Sequence, residues 1–207
     1  MAFPDDRYGD EGSFADAYFA LAEAAAASVD RGALHAAADL LTRVHRDDRA
    51  TIYSCGNGGS AAIANHLVCD HCKAVQSDTG LRPRVYSLSA HIEIMTAVSN
   101  DLSYDEVFVY QLRTLARPGD ALVSVSSGGD SENIVRAVAW ARDNDIPVVA
   151  MTGFSGGRSA ALADVNLHVD AHNYGVIEDV HQSLMHILAQ YIRQAHMDDE
   201  TIRQRRF

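Results

Sequence analysis

The sequence is poor in positive charge: 17 lysines and arginines stand against 28 aspartates and glutamates, a formal net charge of −11. So acidic a composition excludes the broad basic footprint by which proteins hold nucleic-acid backbones, and any anionic ligand has to be bound locally. Cysteine is scarce as well. Cys55, Cys69 and Cys72 are an odd number in a 207-residue chain and argue for thiols over a secreted disulfide framework. No run of about 18 apolar residues occurs, and the opening MAFPDDRYGDEGSF has neither the basic nor the apolar region of a signal peptide. These absences predict a cytoplasmic protein with no membrane or nucleic-acid partner. What is present is an ordinary globular inventory, 47% apolar and 22% charged, enough for one buried core.

Residues 1–12 are acidic and aperiodic, and predict a mobile leader. Over 13–48, FADAYFALAEAAAASVD and RGALHAAADLLTRVHRDD are Ala- and Leu-rich amphipathic stretches that break at Asp30-Arg31-Gly32. They predict a helical hairpin on the domain edge or in a subunit interface. Over 49–195 the pattern alternates: ATIYSC, RVYSLS, ALVSVS, PVVAMTG and VNLHVD read as strands between helical segments, and GVIEDVHQSLMHILAQYIRQ reads as a long closing helix. Residues 196–207 form a tail. The order predicts a single α/β domain, a five-stranded parallel sheet flanked by helices in three layers, with ligands at the carboxyl ends of the strands.

Two post-strand loops carry the chemistry. Cys55-Gly56-Asn57-Gly58-Gly59-Ser60 leads from a strand into a helix, where glycines allow close backbone approach and the helix N-terminus offers free N–H groups to an anion. A tight turn explains this loop alone equally well. Ser124-Val125-Ser126-Ser127-Gly128-Gly129-Asp130-Ser131 repeats the arrangement, and two such loops suit a phosphate monoester held by hydroxyls and dipoles without lysine. On the helix after the first loop, His66 and Asp70 are four apart and share a face. A structural zinc at Cys69-Asp70-His71-Cys72 is disfavoured, because those residues fall on different faces of one helix.

The run Ser54–Ser60 followed by His66, the serine-rich loop Ser126–Ser131, Thr152-Gly153 with Gly156-Gly157, and His186-Ile187-Leu188-Ala189-Gln190 on the last helix resemble bacterial phosphoheptose isomerases of the sugar isomerase (SIS) domain superfamily. The resemblance spans roughly residues 13–195. It implies a SIS domain over 13–207 and conversion of sedoheptulose 7-phosphate to D-glycero-D-manno-heptose 7-phosphate. The N-terminal helices would help build a homotetramer. It implies a phosphate and sugar site at Asn57, Gly58, Gly59, Ser60, Asp101, Ser126, Ser127 and Ser131. It also implies a divalent metal, zinc in the family, on His66, Asp70, Glu178 and His186, with Asp70 and His186 as acid and base and Glu178 as a rival base.

This chain departs from the family pattern at several of these positions. Asp70 and Glu178 stand where the family has Glu and Gln, Ile63 replaces an Asp, and the second loop has Gly128 for a hydroxyl and gains Asp130. Residues 178 and 186 are eight apart, a rotation of about 80°, so Asp179 competes with Glu178 for the site. An isomerase of another phosphosugar, or a non-catalytic phosphosugar sensor, stays open on the sequence.

Overall fold

Short β-branched and small apolar segments, β1 (Ile52–Gly56), β2 (Val85–Ser87), β3 (Ala121–Ser126), β4 (Val148–Thr152) and β5 (Val165–His168), pair into one parallel sheet. The computed structural model describes residues 3–207. The strand order is β2-β1-β3-β4-β5. Chain progression therefore reverses direction between β1 and β3, the position where a doubly wound sheet opens a crevice for ligands. Register places Gly56 beside Val125, so the loops leaving β1 and β3 open next to each other.

Alternate residues of the strands feed two cores. Ile52, Val123, Val149 and Met151 pack beneath α1 (Glu11–Ser28), α2 (Arg31–His45), α3 (Gly59–Cys69) and α8 (Tyr174–Gln194). Tyr53, Cys55, Leu122 and Val148 face the other way, toward α4 (Ile92–Asp101), α5 (Val109–Leu115) and α6 (Glu132–Asp143). This is the expected three-layer architecture. The short α7 (Gly157–Leu162) follows β4, and α9 (Asp199–Gln204) closes the chain. Among the described residues no helix is long and apolar enough to cross a membrane.

Local structure departs from the sequence expectation in three places. α1 begins at Glu11, capped by Asp10, inside the stretch read as a leader, and Phe3 packs 5.0 Å from the ring of Phe14 while Asn173 Nδ2 donates to its carbonyl at 3.0 Å. The tail contains α9, whose cap Asp198 accepts from Thr201 N. Most consequential, the helix after the first loop does not stay α-helical: Asp70–Val75 form a π-helical turn, a geometry that concentrates at functional sites. Its underwinding carries His71 into the interior while Cys69 stays exposed, which separates the residues of the Cys-His cluster.

Candidate active site

The first loop enters α3 through Gly58, in a positive-φ conformation, and no side chain caps that helix. α6 likewise starts at Ser131 without a side-chain cap. Two helix N-termini with unclaimed N–H groups thus border one cleft of about 290 Å³, lined by Asn57, Ser60, Ser126, Ser127, Ser131, Tyr174 and Glu178 among others. Ser127 Oγ is buried and lacks a hydrogen-bond partner among the described residues, so its hydroxyl is available to a ligand there. Ser126 Oγ accepts from Gly129 N at 3.2 Å and holds the loop closed.

Neighbouring groups hold the two loops in place. Asn57 exchanges two 2.9 Å amide hydrogen bonds with Asn133 and accepts a third, at 2.8 Å, from Tyr104. The side chain of Asn57 is therefore committed to tying the first loop to α6. Asp130, at the rim of the cleft, accepts from Arg158 N and Nε, each at 3.0 Å, so its charge is neutralised against an arginine on α7. The second loop also needs Gly129, whose φ is +70° and whose Cβ, if it had one, would overlap the Gly156 carbonyl. Gly129→Ala is expected to lower stability by at least about 2 kcal/mol, measured by urea unfolding. Gly128→Ala, with nothing within 4 Å, should fall within about 0.5 kcal/mol of the parent. Equal losses would refute this reading of the loop.

The ionisable groups converge from α3 and α8. His66, Asp70 and His186 present ligand atoms within 4.8 Å of one another. Asp70 Oδ2 is 2.6 Å from His186 Nδ1, and Asp70 Oδ1 is 3.4 Å from His66 Nε2. Two imidazoles and a carboxylate form a donor set that fits a divalent ion such as zinc. Glu178 lies outside this group. Its carboxylate packs over Gly59, where a Cβ would overlap it, and burial, with the charge of Asp179 second, holds its carboxyl above the ordinary glutamate range. Asp179 faces away, accepting from Tyr18 OH at 2.7 Å; burial, then this bond, pushes the Tyr18 phenol up to about 12.

The chain has known relatives. Residues 13–153 match the SIS domain family. A phosphoheptose isomerase of Colwellia psychrerythraea is 38% identical over 144 residues, 68% of this chain and 73% of the relative. The chain belongs to the phosphoheptose isomerase family of SIS-domain proteins. One from Mycobacterium tuberculosis is 38% identical over 148 residues, 70% of this chain and 74% of that protein. The solved phosphoheptose isomerase of Neisseria gonorrhoeae superposes with a TM-score of 0.82 at 32% identity, covering 89% of this chain and all of its own.

In this SIS domain the candidate residues divide into three sets. Ser60, Ser126, Ser127, Ser131, Asn57 and Glu178 line the cleft, and Gly58 and Gly59 shape its entry into α3. His66, Asp70 and His186 form the adjoining polar cluster. Asp101 lines neither; it ends α4, with its Oδ1 bonded to Asn100 Nδ2 at 2.8 Å. Two participants were missed from the sequence. Asn133 anchors Asn57, and Gln182 lies between His66 and His186, 3.2 and 2.8 Å away. Gln182 carried a legible signal, since it precedes His186 by four residues and shares its face.

Proposed function

We propose that this protein is a ketose–aldose isomerase that converts sedoheptulose 7-phosphate to D-glycero-D-manno-heptose 7-phosphate through an enediolate. One observation carries the reading: two helix N-termini without side-chain caps and Glu178, a carboxylate unpaired among the described residues, share one cleft beside the His66–Asp70–His186 cluster. The N-termini, with Ser60, Ser126, Ser127 and Ser131, receive the phosphate without a basic residue. By resemblance, Asp101 would meet sugar hydroxyls. The imidazoles of His66 and His186, backed by Asp70, would hold a divalent ion, most simply zinc, which would supply a Lewis acid to polarise the substrate carbonyl. Asp70 is engaged by both imidazoles and orients them. Glu178, free of such engagement and made more basic by burial, moves the proton between neighbouring carbons.

The test is to incubate the protein with sedoheptulose 7-phosphate in deuterated water, with and without chelator. Aldose formation with deuterium entering at carbon, suppressed by the chelator, is expected. Tight binding with neither turnover nor exchange would make the protein a phosphosugar sensor. Turnover that survives complete chelation would remove the metal from the proposal.

We assign the working unit as a homotetramer acting in the cytoplasm, where free Cys55, Cys69 and Cys72 stay reduced. Phe14 and Phe19 on α1 are exposed, Phe19 at 69%, and so are Ile187 and Tyr191 on α8, which supports burial of these helices between subunits. Phe19→Glu is expected to shift the sedimenting species to a smaller mass. An unchanged mass would take Phe19 out of the interface.

A further inference from the structure

Gln182 is an unassigned member of the polar cluster. Its amide nitrogen lies 2.8 Å from His186 Nε2 and 3.2 Å from His66 Nδ1. Asp70 holds the opposite side of both rings, 2.6 Å from His186 Nδ1 and 3.4 Å from His66 Nε2. The four side chains close a ring in which a carboxylate and a carboxamide each touch both imidazoles.

The chemistry of the two sides differs. A carboxylate accepts hydrogen bonds, so His186 Nδ1, hydrogen-bonded to Asp70, carries the proton and leaves the lone pair on Nε2; the approach of His66 Nε2 to the same carboxylate at 3.4 Å favours the matching tautomer, with the lone pair on Nδ1. Both lone pairs converge on the head group of Gln182. A half-turn of that amide exchanges its amino group for its carbonyl oxygen. With the amino group inward it donates to both rings. With the carbonyl inward it joins two imidazole nitrogens as an oxygen donor, and three protein ligands with a fourth position left open is the composition of a catalytic zinc site. Asp70 on the remote nitrogens then fixes the tautomers and raises the basicity of both ligands.

We infer that Gln182 is the oxygen ligand that α8 contributes to the divalent ion, together with His66 Nδ1 and His186 Nε2, and that Asp70 is the positioning residue behind them. Glu178, the α8 ligand expected from the resemblance, sits one turn earlier with its carboxylate against Gly59 in the phosphate-loop cleft, and it is left free to act on substrate. This assignment rests on the metal reading above and deepens it.

Zinc affinity, measured by chelator competition, and the visible spectrum of the cobalt(II)-loaded protein test the assignment apart from activity. Gln182→Ala and the similarly sized Gln182→Leu are expected to weaken zinc by about tenfold or more and to change the cobalt spectrum. Gln182→Glu, which keeps an oxygen, should recover most of the affinity, and Glu178→Gln should match the parent in both measurements. Thermal melting of the chelated variants identifies any that are misfolded, and the folded member of the Ala and Leu pair is read. Parent-like zinc affinity and spectrum in that variant, or weakening in Glu178→Gln alone, would overturn the assignment while leaving the metal reading intact. No zinc binding by the parent would overturn both.

Discussion

Glu178→Gln is expected to reduce turnover on sedoheptulose 7-phosphate by about a hundred- to ten-thousand-fold while phosphate-ester binding and zinc affinity persist. The argument is one of available carboxylates. Isomerisation needs a base beside the carbon that loses its proton, and two carboxylates stand near the site. Asp70 is held by two imidazoles, at 2.6 and 3.4 Å, and has the shorter side chain. Glu178 lines the cleft between the two loops, and among the described residues it has no hydrogen-bond or ion-pair partner. Burial and the neighbouring Asp179 raise its pKa, so it is a stronger base than an exposed glutamate. The sign of the pH effect follows: a base works deprotonated, so kcat/KM should fall as pH drops through the raised carboxyl value. That limb should lie above the ordinary glutamate range and vanish in Glu178→Gln. The double substitution Asp70→Glu with Glu178→Gln, which restores the carboxylate and amide pattern of the resembled family, should regain part of the turnover. Full activity in Glu178→Gln would return the proton to the Asp70–His186 pair.

The placement of Glu178 shows how far the sequence carries. The five strands were legible because β-branched runs such as ALVSVS and PVVAMTG are bounded by Gly, Pro and Asp, and because both sheet faces are buried. Both glycine- and serine-rich loops were legible as strand-to-helix junctions, because glycine supplies the positive-φ entry that such a turn requires. Side-chain commitments were not legible. Asn57 reads as a ligand group in sequence, yet its amide is spent on Asn133 and Tyr104, residues 76 and 47 positions away. The choice between Glu178 and Asp179 depended on a rotation of about 100° per residue, which periodicity does not resolve at a helix start. Tyr18, on a helix at the far end of the chain, removes Asp179 from the site. The π-helical turn at Asp70 leaves no compositional mark, because it changes which carbonyl each N–H meets, and no residue type encodes that shift.

The same turn underlies the second large effect, loss of stability in mild acid. By inserting His71 into the interior it brings His71 Nδ1 to 2.7 Å from His45 Nε2, and both imidazoles are buried with their remaining nitrogens unpartnered. Burial pushes both rings well below the usual histidine value, His45 to about 4 with the charge of His196 second, and His71 to about 3 with the charge of His45 second. His181, fully buried against the Thr152 carbonyl, is lowered to about 4, again by burial. In the unfolded chain all three titrate near 6.5, so below that pH the unfolded state binds more protons than the native one. Stability is therefore present in full above about pH 7 and declines as pH falls toward the lowered native values. Each histidine held neutral removes about 2 kcal/mol by pH 5, and three together remove about 6 kcal/mol, comparable with the whole stability of a domain. Urea midpoints should accordingly fall steeply between about pH 7 and 5, before most carboxylates titrate. Replacing His45 and His71 together with leucine and methionine should remove roughly two thirds of that decline. If the double variant loses stability with pH as steeply as the parent, the buried pair is not the source of the acid sensitivity.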